Sequence, residues 1–137
     1  MTKDLWINLP VKNVIKSRDF FTAIGFSLNE GQGNTEKSAA IKIGNKNIIL
    51  MLFEENLFKQ IVQHDLTDTK ISSEVLFSFD AESEQEVRDI AVKVEKAGGI
   101  VFSRPAEFEG WMYGCAFSDL DGHRWNVLYM NFSKMNK

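Results

Sequence analysis

The spacing of apolar residues near the start of the chain changes from a strand-like pattern to a helical one. The run "LWINLPV", residues 5–11, has the apolar density of a short β-strand, and a polar break at Lys12 and Asn13 ends it. In the following stretch, "VIKSRDFFTAI", the apolar residues Val14, Phe21 and Ile24 recur at helical spacing. Asn13 is a preferred helix N-cap, and Gly25 is a preferred helix stop. These patterns predict a strand followed by a one-sided helix that packs on a sheet.

The second half repeats this order. The strand-like run "SEVLFSF", residues 73–79, precedes the helical stretch "EQEVRDIAVKVEKA", which stops at Gly98 and Gly99. Ser83 and Glu86 have capping-box spacing, so the hydroxyl and the carboxylate should each satisfy an orphan amide of the first turn. The apolar face of this helix is formed by Val87, Ile90, Ala91, Val94 and Ala97.

Three strand-like runs follow each helix, and turn residues separate them. In the first half the runs are residues 26–30, 37–43 and 46–53; in the second half they are residues 100–106, 112–118 and 123–130. Gly44-Asn45 and the tetrapeptide Asp119–Gly122 are the hairpin signals. The pattern predicts an α+β protein with two βαβββ modules in tandem. Module one covers about residues 1–54, an insert about 55–70 and module two about 71–137, all within a single domain.

The insert between the modules breaks the repeat. Leu57, Phe58, Ile61 and Val62 are spaced like one face of a short amphipathic helix. The pattern leaves three roles open for this helix. It could cover a pocket, contact a partner subunit, or pack as a satellite of the core.

Composition narrows the possible partners. The chain of 137 residues has a formal charge of −3, and its 16 Lys and Arg are interleaved with acids. Nucleic-acid binding needs a concentrated basic face, so nucleic acid is not expected as a partner. No apolar run is long enough to span a bilayer, and "MTKDLW" lacks the apolar region of a signal peptide. Cys115 is the single cysteine, so no disulfide can form within the chain, and we expect a cytoplasmic protein. Because no run could span a bilayer, we also expect no membrane contact.

The paired βαβββ pattern, together with "NLPVKNVIKSRDFFTAIGF" and "DLDGHRW", resembles the vicinal oxygen chelate superfamily. This fold group includes glyoxalase I, bleomycin-resistance proteins and extradiol dioxygenases. The insert, "EVLFSF" and "YGCAFSDLDGH" are similar to a bacterial glyoxalase-like, or lactoylglutathione-lyase-like, subgroup. The resemblance covers essentially the whole chain. It implies that the modules form a curved mixed sheet around a cleft.

In metal-dependent members, the first and last strands of each module supply one ligand apiece, usually His, Gln or Glu. The resemblance places these four positions at Trp6, Met51, Glu74 and Asn126. An indole does not bind a metal, a thioether is soft, and an amide oxygen is neutral, so only Glu74 is a good ligand for a divalent ion. We therefore expect no metal, no other cofactor and no glyoxalase I activity. Of the two histidines, His123 is predicted to have a turn role, whereas His64 on the insert could supply an atypical metal ligand with Glu74.

Alternation along the strands predicts which residues line the cleft. Asn126, Leu128 and Met130 should share one face of the last strand, while Trp125, Val127 and Tyr129 face the helix. Cys115 is a further candidate for the lining, although a lone cysteine is usually a small buried apolar residue. The predicted ligand-binding residues are Trp6, Asn8, Met51, Glu74, Trp111, Tyr113 and Asn126. Such a lining suits a small, partly apolar molecule held by a few polar groups.

Glu74 is the candidate catalytic residue, because an acid beside an apolar strand can act as a base or anchor a cationic group. The alternative is a structural carboxylate hydrogen-bonded to Asn8, Asn126 or Tyr113.

Three functions remain open at this point. The leading one is a metal-independent protein that binds a small molecule in its cleft. The second is a lyase or isomerase that uses Glu74 as base, or an enzyme with an atypical metal site. The third is a non-catalytic dimeric interaction protein. Open sheet edges and the apolar insert favour a homodimer in each case.

Overall fold

The fold is that of a computed structural model, which describes residues 1–135. Within these residues it has eight β-strands, three α-helices and a short 3-10 helix. In chain order the elements are β1 (Trp6–Val11), α1 (Val14–Ala23), β2 (Ser27–Leu28), β3 (Ser38–Ile43), β4 (Ile48–Glu54), α2 (Glu55–Val62), β5 (Leu76–Asp80), α3 (Glu84–Lys96), β6 (Ile100–Phe108), β7 (Met112–Ser118), β8 (Arg124–Met130) and the 3-10 helix (Phe132–Lys134).

The prediction of an α+β fold with two βαβββ modules in tandem is confirmed. Each module has its own four-stranded mixed sheet, in the order β1-β4-β3-β2 for the first and β5-β8-β7-β6 for the second. In each sheet the first and last strands of the module pair in parallel, and the remaining pairs are antiparallel. The first module lies in a compact unit that ends at Thr67, and the second lies in a unit that begins at Asp68. The last two residues of the predicted second module lie outside the described residues.

The helix ends follow the predicted caps. The Asn13 side chain accepts a hydrogen bond from the Lys16 amide at the start of α1. At the start of α3, Ser83 Oγ accepts from the Glu86 amide at 3.0 Å. The Glu86 carboxylate reaches one residue further back than predicted and accepts from the Glu82 amide at 3.1 Å. The start of α3 is therefore held by two side chains close to it in sequence.

The core of the first module lies between α1 and one face of its sheet. Phe20 and Phe21 of α1 are almost fully buried, and their rings meet edge to face with centroids 5.2 Å apart. The strands contribute small and branched apolar residues to the same core, namely Leu9, Val11, Ala39, Ile41, Leu50 and Leu52. Alternation places these residues on one face and leaves Asn8 and Met51 on the other.

The core of the second module is aromatic. Trp125 of β8 is 2% exposed; its ring stacks on Phe117, and its centroid lies 4.8 Å from that of Phe77. The apolar face of α3 covers this cluster with buried Val87, Ile90, Ala91 and Val94, as the sequence predicts. Trp125 and Val127 are thus on the helix side, which confirms the predicted alternation of β8.

In two predicted strands, three of the predicted residues lie outside the observed strand. The strand predicted over residues 26–30 is only Ser27–Leu28. Beyond it the Asn29 amide still donates to the Ala40 carbonyl at 2.8 Å, but the Asn34 side chain replaces the second backbone hydrogen bond between these two residues. The Asn34 side chain donates to the Asn29 carbonyl at 2.7 Å and accepts from the Ala40 amide at 3.0 Å. In the second module β5 begins at Leu76, three residues later than the predicted run. Its parallel partner β8 begins at Arg124, directly opposite Leu76, so earlier residues have no strand to pair with.

A buried carboxylate closes the turn between β7 and β8. Asp119 is 6% exposed and accepts from the amides of Asp121 and His123, each at 3.0 Å. Its second oxygen accepts from the Trp125 indole N–H at 3.1 Å. Burial raises the pKa of the Asp119 carboxyl, while His123 and the hydrogen bond from Trp125 oppose this shift. One side chain therefore ties the turn to the aromatic core.

The insert helix is present as predicted. α2 covers Glu55–Val62, packs against β1 and β4, and is capped by Glu54, whose carboxylate accepts from the Leu57 amide at 3.2 Å. Within the described part of the chain none of its residues is fully buried, and Ile61 is 55% exposed. The described helices include none with the length and apolar character needed to cross a membrane.

The Asp119 network predicts a large stability loss from one truncation. Asp119→Ala leaves the buried Trp125 indole N–H and two turn amides without their acceptor. We expect the free energy of unfolding to fall by about 2–4 kcal/mol, measured by urea denaturation. Glu95→Ala is the matched control, because it also removes one carboxylate from the second module. Its ion pair with Arg104 is exposed, so the expected loss is about 0–1 kcal/mol. Equal losses in the two variants would contradict a central role for Asp119.

Candidate functional site

Asn126 lies at the centre of the face of the second sheet that is turned away from α3. It follows buried Trp125 in β8, so alternation directs it to this opposite face. Strand register places it directly opposite Ser78 of β5 on one side and Ala116 of β7 on the other. Its amide Nδ2 donates to Ser78 Oγ at 3.4 Å. A row of small and neutral polar residues therefore crosses this face.

A hollow of about 230 Å³ lies on the same face, lined by residues of β6, β7 and β8 that include Asn126, Ala116 and Leu128. Gly114 also lines it, and this position has no room for a side chain. A Cβ there would lie 2.6 Å from the Val127 carbonyl oxygen and 2.8 Å from Leu128 Cδ2. The hollow therefore depends on glycine and alanine where most strands carry larger residues.

In the first module the predicted residues also share a sheet face. Asn8 of β1 lies opposite Met51 of β4, which in turn lies opposite Ala40 of β3. A Cβ on Gly33 would lie 3.2 Å from the Met51 methyl carbon, so the loop after β2 closely approaches the thioether. Trp6 is two residues before Asn8 and is 58% exposed. The first module thus presents an indole, an amide and a thioether on one face.

Glu74 is not part of β5. It lies in a bend two residues before Leu76 and is exposed. Continued register would set it opposite Gly122, which belongs to the turn closed by Asp119 and lies against Thr69. Its carboxylate forms no hydrogen bond or ion pair with any residue of 1–135. Glu74 therefore does not form the hydrogen bonds to Asn8, Asn126 or Tyr113 that a structural role would require. Its role as base or anchor stays a prediction.

The structure separates Tyr113 from Asn126, so the prediction that they line one face is wrong. Tyr113 lies opposite Tyr129 and Cys115 lies opposite Val127, both on the side of the sheet where α3 packs. The Tyr113 hydroxyl accepts from Arg88 of α3 at 3.2 Å. Trp111 precedes β7 and packs its ring against Phe132 at a centroid distance of 5.8 Å. Side chains alternate between the two faces of a strand. Ala116 pairs with Asn126 and shares its face, so the odd-numbered residues of β7 lie on the other face, where α3 packs.

Cys115 is 5% exposed, and its pKa is raised to about 11 by burial, which outweighs the lowering effect of Arg104. A thiol with such a pKa is protonated at neutral pH and is a poor nucleophile. Its burial matches the interpretation of Cys115 as a small buried apolar residue, and Cys115 also borders the hollow beside Gly114 and Ala116, where it was a candidate for the lining.

The four positions that the resemblance assigns to metal ligands do not fit a divalent ion. Of these, Asn126 is hydrogen-bonded to Ser78, and only Glu74 is charged. His64 lies after α2, where its Nδ1 is 2.9 Å from the Asp65 carbonyl oxygen, and the His123 amide is held by Asp119. Among the described residues, no group of three or more His, Cys, Asp or Glu could hold a metal ion. Three of the four positions therefore carry a side chain that is a poor ligand for a divalent ion.

The sequence interpretation missed Ser78, Gly114 and Ser103. Ser103 of β6 lies opposite Ala116 and extends the row across the sheet. Ser78 could have been found from "SFD", because the parallel pairing of β5 with β8 sets it beside Asn126. Ser103 could not have been found from the sequence, because two irregularities in the β6–β7 pairing shift its register.

Comparison with solved structures identifies the fold. A hypothetical protein from S. aureus superposes with a TM-score of 0.83 at 35% identity, covering 94% of each chain. A glyoxalase/bleomycin resistance protein/dioxygenase family enzyme from Burkholderia phytofirmans has a TM-score of 0.80 at 15% identity, over 93% of this chain and 99% of that one. A glyoxalase-related enzyme from Fulvimarina pelagi has a TM-score of 0.80 at 15% identity, over 94% of this chain and 88% of that one.

Neither the protein-family models nor the curated proteins compared with the sequence give a match. Identity of 35% over nearly the full length shows common ancestry with the S. aureus protein, and the more distant structures share the paired-module architecture. The chain therefore belongs to one family with the S. aureus protein and has the fold of the vicinal oxygen chelate superfamily, the glyoxalase/bleomycin resistance/dioxygenase group.

Proposed function

We propose that this protein binds a small, partly apolar molecule on the Asn126 face of its second module, without a catalytic metal. The observation that carries the proposal is the hollow of about 230 Å³ built around Asn126, Gly114 and Ala116. Its lining combines apolar residues with a few polar groups, as is typical of small-molecule sites, and its volume restricts the occupant to a small ligand.

The chemistry of the lining supports binding through neutral hydrogen bonds. Asn126 uses one amide N–H for Ser78, and its Oδ1 accepts no hydrogen bond from any residue of 1–135. The side chain can therefore offer one donor and one acceptor to a ligand. Leu128 and Phe108 add apolar surface to the same hollow. The charged groups there are Arg104, which is already paired with Glu95 at 2.9 Å, and Glu107.

Binding to this hollow predicts a specific pattern among variants. Small molecules that stabilise the protein in a thermal-shift screen are taken as probes, and their affinities are measured by calorimetry. Asn126→Ala removes the donor and the acceptor together, so we expect probe binding to weaken by about 1–2 kcal/mol, or roughly 5- to 30-fold. Asn126 bonds only to Ser78 at 3.4 Å, so the melting temperature should change little.

Glu74→Gln is the matched variant, because it tests the candidate base while preserving shape. Glu74 is exposed and does not line the hollow, so affinity should stay within about twofold of the original. The reverse pattern, loss in Glu74→Gln and retention in Asn126→Ala, would contradict the proposal. It would favour Glu74 as the anchor or base of a lyase or isomerase.

Metal content tests the other half of the proposal. Protein dialysed without chelator should hold far less than one equivalent of Zn, Ni, Mn or Fe, because neutral or soft groups stand at three of the four metal positions of this fold. Elemental analysis by mass spectrometry measures this directly. One retained equivalent of any of these metals would contradict it. Glyoxalase I activity should likewise be absent from protein incubated with Ni or Zn.

We further propose that the protein is a homodimer. Several apolar residues on strands at the edges of the two sheets are more than half exposed: Trp6, Leu76, Ile100 and Phe108. Exposed apolar residues on edge strands are typical of surfaces that are covered by a partner. Light scattering at tens of micromolar should give twice the chain mass of 15.6 kDa. A monomer mass at that concentration would contradict the proposal.

A further inference from the structure

The second module contains another hollow, on the side of its sheet where α3 packs. Its volume is about 360 Å³, and it is bounded by the start of α3, the β6–β7 turn and the segment after β8. Trp111, Tyr113 and Tyr129 supply its aromatic walls. Tyr113 and Tyr129 lie side by side across the β7–β8 pair, on the face opposite to Asn126. This hollow lies on the opposite face from the one proposed to bind through Asn126, and the two share only Glu107 among their lining residues.

Arg88 of α3 is held in this hollow by neutral groups. Its Nη1 donates to the Tyr113 hydroxyl at 3.2 Å, and its Nη2 donates to Gln85 Oε1 at 3.0 Å. The guanidinium carbon lies 5.5 Å from the centre of the Tyr113 ring, which is within cation–π range. These contacts orient the guanidinium through neutral partners, and none of them cancels its charge.

The charge of Arg88 is not neutralised by a carboxylate. Within residues 1–135, Arg18 and Arg104 form ion pairs with Asp19 and Glu95, whereas Arg88 forms none. A guanidinium has five N–H donors, and two of those on Arg88 are used by neutral oxygens. The remaining donors match the two oxygens of a carboxylate.

The aromatic walls are fixed by the backbone around them. Glu109 and Gly110 both have positive φ, at 53° and 77°, and this turn places Trp111 at the edge of the hollow. The Trp111 carbonyl accepts from the Asn131 amide at 2.8 Å, and its ring packs on Phe132. A flat apolar ring is the ligand group that such walls accommodate.

The charged residues around the hollow restrict the charge of its ligand. Arg88 and Lys134 contribute two positive charges, and Glu84 and Glu107 contribute two negative ones. The lining is therefore neutral as a whole, with the oriented donors concentrated at Arg88. The two carboxylates repel any anion, and the repulsion doubles for a dianion, so a ligand with one negative charge is favoured.

From these observations we infer that this hollow binds a small aromatic carboxylate as its monoanion. The carboxylate contacts the Arg88 guanidinium, and the ring lies against Trp111 and Tyr129. A volume of about 360 Å³ accommodates a ligand of one or two rings. This site goes beyond the function proposed above and uses none of the contacts of Asn126.

The test uses 3-phenylpropionate and its neutral analogue 3-phenylpropanamide as probes. Dissociation constants are measured by NMR titration of the protein, with the Trp111 indole N–H signal as the local reporter. We expect the carboxylate to bind at least tenfold more tightly than the amide and to shift the Trp111 signal. In Arg88→Gln the affinity for the carboxylate should fall about tenfold, to the level of the amide. Gln preserves helix propensity at this exposed position, and a thermal melt checks that the variant is folded.

Two control variants show whether binding depends on Arg88 itself. Arg18→Gln removes an exposed arginine of α1 and the same unit of charge, and it should leave both affinities unchanged. Asn126→Ala should also leave them unchanged, so the two proposals fail independently of each other. Equal affinity of the two probes for the unmodified protein, no binding of either, or undiminished carboxylate binding by Arg88→Gln would overturn the inference.

Discussion

The buried carboxylate of Asp119 is the interaction on which the second module depends. It accepts hydrogen bonds from two amides of its own turn and from the indole of Trp125. The indole lies within the aromatic core under α3, so the turn and the core share one polar contact. A carboxylate buried in this way costs desolvation energy, and its three donors offset that cost only if β8 enters with one register. The hydrogen bonds to Asp119 therefore fix the register of β8 at its first residues, and pairing with β7 and β5 strengthens that register.

That register decides which residues can act together. With Trp125 directed into the core, Asn126 has to face away from α3, and each neighbouring strand then follows the same period of two. Ser78 and Ala116 join Asn126, while Tyr113 joins Tyr129 and Arg88 on the helix side. One sheet thus carries two chemically different surfaces. The first offers neutral hydrogen bonds above a floor of small residues, and the second offers an oriented cation between aromatic rings.

The elements of the fold could be predicted because each rests on local chemistry. The caps at Asn13 and Ser83 and the apolar stripe of α3 depend on residues within a few positions of each other, and all three are present. The site depends on pairing between distant strands, for which the sequence has a weaker signal. The face of Tyr113 is predicted wrongly because the turn at Glu109 and Gly110 and the irregular pairing of β6 hide the parity of β7. The predicted start of β5 is too early for a related reason: "SEVLFSF" is strand-like throughout, but only Leu76 onwards has a partner in β8.

Asn126 is one of the four positions that the resemblance assigns to metal ligands, and its neutral side chain has an energetic consequence. A carboxylate at Asn126 would be an unpaired charge beside Ser78 and Leu128 and would need a cation to offset its desolvation. An amide at the same position donates one hydrogen bond to Ser78 and carries no charge whose desolvation has to be offset. An amide at position 126 therefore adds no charge to this face, on which Arg104 is already paired with Glu95. For the small-molecule binding proposed above, specificity on such a face has to come from shape and from a few hydrogen bonds, and the lack of a side chain at Gly114 supplies the shape.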